Sequence, residues 1–300
     1  MTDPTATTTE QARNPMALAF VAGAYLAALG VAWGVAHAMP QVHPLWAVLA
    51  ADLAGTVVVF AFSVAFNNSS FYDPYWSVAP LFIAPFLVAR SGLPISPRAV
   101  LVVALVYLWG LRLTYNWMRG WEGLKHEDWR YSDFRTKAPR AYWLVSFVGF
   151  HSMPTMMVFL GCFGLCPALA APRQPLGWLD AVAAAVTLGA VLVEATADAQ
   201  LHRFCASKKP GEIMARGLWA YSRHPNYFGE VSFWWGIWLC GVAADPASAL
   251  WTFAGPAAIT LLFVFISVPL LDKRSLARRP GYAEHIRRVS ALLPWPARTD

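Results

Sequence analysis

Residues 178–204 read WLDAVAAAVTLGAVLVEATADAQLHRF, a 27-residue apolar run interrupted in its second half by Glu194 and Asp198. A bilayer core roughly 30 Å thick is crossed by about 20 helical residues, so this run is long enough to span it. Comparable runs lie at 16–37, 45–66, 76–90, 99–118, 142–168, 227–243 and 248–271, the third and the seventh in chain order being short. The pattern predicts an all-α fold, a polytopic transmembrane helical bundle of seven or eight spans. The last two runs are separated by Ala244-Asp245-Pro246-Ala247, a turn signal with room only for a helical hairpin.

Composition agrees with lipid as the solvent. Of 300 residues 57% are hydrophobic and 13% charged, whereas soluble domains carry about a quarter charged residues. The 15 Trp and 18 Phe suit membrane interfaces and a lipid-facing surface. Net charge is +6, but the charges sit between apolar runs, which points to anionic lipid headgroups or a phosphorylated ligand and away from nucleic acid. No obligate protein partner is evident. Four cysteines, Cys162, Cys166, Cys205 and Cys240, show no paired spacing and read as small apolar residues, with neither disulfides nor a metal site expected.

Basic residues cluster at 119–140, 203–223 and 273–298. With eight spans all three clusters and the N-terminus fall on one face, which the positive-inside rule makes cytoplasmic. Arg90, Arg98 and Arg173 fall on the other face. The expected organisation is a disordered cytoplasmic tail over 1–15 followed by a single multi-pass membrane domain over 16–300.

Polar residues inside apolar runs mark ligand or ion paths because they are costly there. In Tyr221-Ser222-Arg223-His224-Pro225-Asn226-Tyr227-Phe228-Gly229-Glu230, Pro225 suits a helix start, which puts Asn226 and Glu230 on one helix face. Glu194 and Asp198 repeat that spacing. Arg203, Lys208, Lys209, Arg216 and Arg223 are the nearby cations that could partner these acids, unless the network only ties helices together.

The 221–230 stretch, preceded by Lys208-Lys209-Pro210-Gly211-Glu212 and followed by Leu292-Leu293-Pro294, resembles the steroid 5-alpha-reductase C-terminal family, and most of all an uncharacterised bacterial branch of it. Sterol reductases and isoprenylcysteine carboxyl methyltransferases are related families. The resemblance covers about 178–296 and weakens upstream. It implies an NADPH pocket open to the cytoplasm, in a bacterial inner-membrane setting. Carried over by position, Asn226 and Glu230 would meet the nicotinamide or its carboxamide, Glu194 and Asp198 the adenosine half and neighbouring ribose, and Tyr227 would belong to the same cofactor site. Lys208, Lys209, Arg223, Lys273 and Arg274 would meet phosphates, with His224 shaping the loop and Arg112 pairing with ligand or carboxylate. No G-x-G-x-x-G follows a strand, so a Rossmann site is excluded.

The N-terminal half, 16–168, is expected to hold a lipophilic acceptor and 178–296 the cofactor. By the same resemblance Asp73 stands where the reductases have a carboxylate that polarises an enone. Trp109 stands where they have a tyrosine, and an indole cannot act as the acid. Tyr72, Tyr75 or Tyr107, or a protonated Asp73, would then supply the proton. His151 and His202 are further donors by type, although single histidines usually pack. The segment 126–131 is either a lid or a solvated loop. The expected activity is NADPH-dependent reduction of an activated C=C bond, an enone of steroid-like or other lipophilic kind. The alternatives are a methyltransferase using S-adenosylmethionine, since Arg223-His224-Pro225 also occurs in that family, and a non-catalytic membrane protein on the same fold.

Overall fold

The structure, a computed structural model, describes residues 15–298; apart from Pro15, the tail expected over 1–15 lies outside the described residues. Among these residues there is no strand. Eight bundle helices and two short surface helices follow one another as α1 (Pro15–His37), α2 (Pro44–Ala65), α3 (Tyr75–Ser91), α4 (Pro97–Gly120), surface α5 (Trp129–Lys137), α6 (Tyr142–Gly164), α7 (Trp178–Ser207), α8 (Pro225–Ala244), α9 (Pro246–Arg278) and surface α10 (Tyr282–Arg288). Six of them, all the bundle helices except α3 and α8, are long and apolar enough to cross a membrane. The chain is an integral, multi-pass membrane protein with an all-helical bundle.

Local chemistry sets the helix starts. Proline stands in the first turn of α2, α4, α8 and α9 as Pro44, Pro97, Pro225 and Pro246, where no N–H is needed and φ is already helical. The Ser96 hydroxyl caps α4 by accepting from Ala99 N at 3.1 Å, and the Asp245 carboxylate accepts from Ala247 N, turning α8 directly into α9. Helix α3 stops where Gly92 takes the left-handed conformation, φ 63°.

Helices α3 and α8 are the two shorter ones because the rest of the bundle shields them. Phe233, Trp234, Ile237 and Ala244 of α8 and Ala84 and Leu87 of α3 have essentially no exposed surface. The closest helix contact joins α7 to α8, and two glycines permit it. A Cβ at Gly229 would stand 2.6 Å from Glu194 Cβ, and one at Gly236 would stand 2.2 Å from Thr187 Oγ1. Small residues at such crossings let backbones approach in membranes as in water.

Two of the bundle helices are not uniform. Within α6 the residues Ser146–Ser152 are π-helical, and so are Phe263–Ser267 within α9. The continuous span expected over 142–168 is therefore a composite that ends in a further π turn at Cys166–Ala170.

The three basic segments do meet at one end of the bundle. Arg223 of the second pairs with Asp272 of α9, and Arg274 of the third lies over the Trp129 ring of the first, 3.9 Å from its centroid. The cations left at the other end are each used internally. Arg98 holds Asp180 with two hydrogen bonds of 2.6 and 2.8 Å. Arg90 donates to the carbonyls of Met39, Pro40 and Val42, and Arg173 approaches Asp245. Their place against the charge bias thus has a structural cause.

Candidate functional site: an intramembrane polar cavity

At the basic end of the bundle lies a cavity of about 900 Å³, bounded by α3, α4, α6, α7, α8, α9 and the α5 segment. That is near the upper end of the range for small-molecule sites. Both halves of the chain, 16–168 and 178–296, contribute to its polar floor.

Arg112 is central to that floor. Its Nη2 lies 2.6 Å from Glu194 Oε2 and its Nη1 donates to Asp198 Oδ2 at 2.9 Å. One turn along α4, Asn116 Nδ2 donates to the same Asp198 oxygen at 2.9 Å, and Asn226 Nδ2 reaches Asp198 Oδ1 at 3.3 Å. The cation serving the two acids thus comes from α4, not from the loops 203–223 considered from sequence. The Arg112–Glu194 contact is an ion pair outside hydrogen-bond geometry. Arg112 Nε and Nη2, Glu194 Oε2 and Trp117 Nε1 are buried in the described structure without a hydrogen-bond partner. Buried polar atoms are normally satisfied, and in this wall Arg112 Nε and Trp117 Nε1 have neither a hydrogen bond nor an ion-pair partner.

Glu230 takes a different environment. Its carboxylate accepts indole N–H bonds from Trp76 at 2.7 Å, Trp234 at 2.8 Å and Trp109 at 2.9 Å. Trp109 stacks on Phe233, ring centroids 4.4 Å apart. The indole standing where a phenolic acid was looked for therefore orients a carboxylate and holds no transferable proton for a substrate.

Asp73 and Tyr72 also line the cavity. Tyr131 of α5 donates its hydroxyl proton to Asp73 Oδ1, and the Tyr72 hydroxyl shares a 2.6 Å hydrogen bond with Thr155. Burial pushes the Asp73 carboxyl up from 3.8 to about 6, against the lowering effects of Arg130 and Tyr131. Because the folded value is the higher one, Asp73 contributes stability that is complete below pH 3.8 and is lost as pH rises through about 6. Thermal melts in detergent across that range should show this slope in the wild type and a flatter profile for Asp73→Asn; equal slopes would contradict the protonated assignment.

The segment 126–131 is neither an open loop nor loosely held. The Asn68 side chain donates to the carbonyls of Leu124 and His126 at 2.8 and 2.9 Å. Glu127 accepts from Ser69 N at 2.7 Å and from Arg135 Nε at 2.8 Å. Burial opposes ionisation of Glu127, but the Arg135 and Ser69 hydrogen bonds outweigh it and hold the carboxyl below its ordinary range. This anchoring puts Asp128, Trp129, Arg130 and Tyr131 in the cavity wall as a roof.

Of the residues singled out from sequence, Tyr72, Asp73, Arg112, Glu194, Asp198, His202, Asn226, Tyr227 and Glu230 line the one cavity, as do residues 128–131 of the segment 126–131. Tyr107 does not; it is half-buried packing on α4. Lys208, Lys209 and Lys273 are exposed and away from the lining, and Arg274 sits behind Trp129. Arg223 and His224 also stand apart from the lining. Arg223 Nη2 donates to Asp272 Oδ2 at 2.7 Å and Nη1 to the Val289 carbonyl, while His224 Nε2 is 3.1 Å from Asp272 Oδ1. Their contacts tie the C-terminal segment to α8, and the arginines that the cavity wall presents are Arg112, Arg119 and Arg130. Tyr75 is directed to Asp52 at 2.8 Å, and His151 is enclosed by Ser63 and Ser146 as a packing histidine. Asn116 and Trp117 escaped the sequence reading, which took in Tyr131 only as part of the segment 126–131. The first was within reach of it, since it lies one turn from Arg112 on the same face.

The fold and site together define a polytopic membrane protein with a polar chamber sunk into one end of its bundle. The chain belongs to the family described as "Protein of unknown function (DUF1295)", which matches residues 59–289. An uncharacterised protein of Schizosaccharomyces pombe is 27% identical over 262 residues, covering 79% of this chain and 76% of its own length. No solved structure matches.

Proposed function

We propose that the protein is an NADPH-dependent membrane reductase that saturates an activated C=C bond in a lipophilic substrate. The observation that carries this reading is the convergence of Arg112, Glu194, Asp198, Asn226 and Glu230 from three helices on the floor of one chamber. These are the positions at which resemblance to the steroid 5-alpha-reductase family implies cofactor contacts. The unpartnered Arg112 Nε and Trp117 Nε1 fit a ligand rich in hydroxyl and carbonyl groups, and Arg119 and Arg130 on the wall suit its phosphates. On this reading the basic end of the bundle, and with it the chamber mouth, is cytoplasmic, as the positive-inside rule requires of a bacterial inner-membrane protein.

When bound, NADPH supplies a hydride for the β-carbon of the double bond. The chain supplies the proton for the neighbouring carbon and the geometry. Asp73 holds a proton at its carboxyl up to about pH 6 and is oriented by Tyr131. Tyr72, whose hydroxyl is bonded to Thr155, is the second donor by type among the lining residues. The α5 roof restricts water.

A second reading has its own observation. The lining holds Asp73, Asp128, Glu194, Asp198 and Glu230 against Arg112, Arg119 and Arg130, and such an acidic excess favours a cationic ligand such as the sulfonium of S-adenosylmethionine. Calorimetry on purified protein separates the two. NADPH should bind, and Asp198→Asn should weaken it at least about tenfold, since a hydrogen bond to a charged group is worth about 1.5–3 kcal/mol. Binding of S-adenosylhomocysteine without binding of NADPH would reverse the assignment.

A further inference from the structure

The chamber has a second boundary that the nucleotide reading leaves unused. Gly149, Phe150 and Met153 of α6 and Phe263, Ile266 and Leu270 of α9 form one wall. In each helix two of these three residues fall in the π-helical segment, Ser146–Ser152 and Phe263–Ser267, and the third follows it. A π turn widens a helix by one residue and recurs at functional sites. Beyond these segments the two helices pack on one another, Met153–Gly161 of α6 against Ala254–Leu262 of α9, while the first π segment rests on α2, the Ser69–Tyr72 turn and its own flanking turns and the second on the flanking turns of α9.

This wall is apolar and reaches the outer surface of the bundle. Ile266 is 52% exposed although it lines the cavity, and its neighbour Phe265 is 70% exposed. A Cβ on Gly149 would meet nothing within 4 Å, so a larger side chain has room at this point of the lining. Both segments belong to helices that cross the membrane, so the outer side of this wall meets lipid. The polar groups lie inside it: Phe150 packs edge-on against Tyr131, centroids 4.9 Å apart, and Tyr131 holds Asp73.

We infer that the gap between the two π segments is a side door onto the bilayer, and that the substrate is a membrane-dissolved amphiphile with an extended apolar body and a hydrogen-bonding head. The head reaches Asp73 and Tyr131, and the apolar body stays against Met153, Ile266 and Leu270. An apolar ligand has little reason to leave lipid and cross water to reach this chamber. The reductase reading enters only as the reaction that follows; the door rests on the geometry of α6 and α9.

The test uses full-length protein in lipid nanodiscs with two photoreactive probes, a long-chain alcohol bearing a diazirine and a short water-soluble diazirine alcohol. After irradiation the labelled peptides are mapped by mass spectrometry. In the wild type the long-chain probe should label the cavity stretch 72–77. Gly149→Trp, and independently Ile266→Trp, should abolish that label, while the long-chain label on lipid-facing α1 and the short-probe label in the cavity persist. The inference is overturned by a wild-type cavity that the long-chain probe does not reach, by cavity labelling that survives both substitutions, or by equal loss of both probes, which would mean that the tryptophans fill the chamber. Retained labelling of α1 and an unshifted melting temperature exclude misfolding, and Ile266→Trp stands in if Gly149→Trp fails that control. NADPH titration of the same samples is separate: absence of binding in the wild type would remove the reductase reading and leave the door intact.

Discussion

Arg112→Ala is expected to destabilise the protein by about 3–5 kcal/mol, the range for removing one partner of a buried ion pair. Arg112 is the cation facing both Glu194 and Asp198, with Glu194 almost fully enclosed. Its loss leaves two carboxylates four residues apart on α7 with no counter-charge. Neither can be hydrated cheaply at this depth. Arg112→Lys should recover only part of the loss, because one ammonium cannot present two separated donors in a fixed fork. The decisive variant is the triple neutralisation Arg112→Met, Glu194→Gln, Asp198→Asn. If the cost comes from unpaired charge, this triple variant melts closer to wild type than Arg112→Ala does. If it melts lower, packing and not electrostatics is what Arg112 supplies. Thermal melting in detergent reads all of these.

Glu230→Ala is expected to be the second severe change, for the opposite reason: it removes an acceptor from three donors. Trp76, Trp109 and Trp234 all direct their indole N–H at this carboxylate. Each buried donor left unsatisfied costs about 1–3 kcal/mol, less than additively for groups that share a partner. The indoles come from α3, α4 and α8, so the carboxylate ties together three helices that hold much of the core. Glu230→Gln keeps the shape but turns an amide NH2 toward at least one indole, and should fall between alanine and wild type. The melting order wild type, Gln, Ala checks this, with the indole absorption and fluorescence shifting in the same order. A Gln variant as unstable as Ala would mean that the negative charge, and not the acceptor count, holds the cage.

Several features of this site were legible before any tertiary information. Asn226 with Glu230 and Glu194 with Asp198 were paired by the helical repeat alone, and all four line the chamber. Helical spacing is local, so a reader of the chain can place such residues on one face. The partners were not legible in the same way. Arg112 meets acids 82 and 86 residues further along the chain, and Trp76 meets a carboxylate 154 residues away. Nothing in the composition of α3 or α4 selects those partners. The fate of Arg223 shows the converse. Its motif looked like a phosphate contact, but Asp272 and the carbonyls at Ile286 and Val289 take up its guanidinium.

The sequence by itself determined the solvent of this protein, its helical class, the eight apolar segments and the gathering of its basic segments at one end. Each of these follows from side-chain hydrophobicity and charge summed over a local window. Only the tertiary structure decided which cation serves which acid, that Trp109 is a donor to Glu230, that Tyr131 sits on Asp73, and that α6 and α9 widen into π turns beside the chamber. Those depend on which helix faces meet and at what depth. Glycines such as Gly229 and Gly236 permit the meeting by admitting a backbone at contact distance, and that is a property of the packed pair and not of either segment.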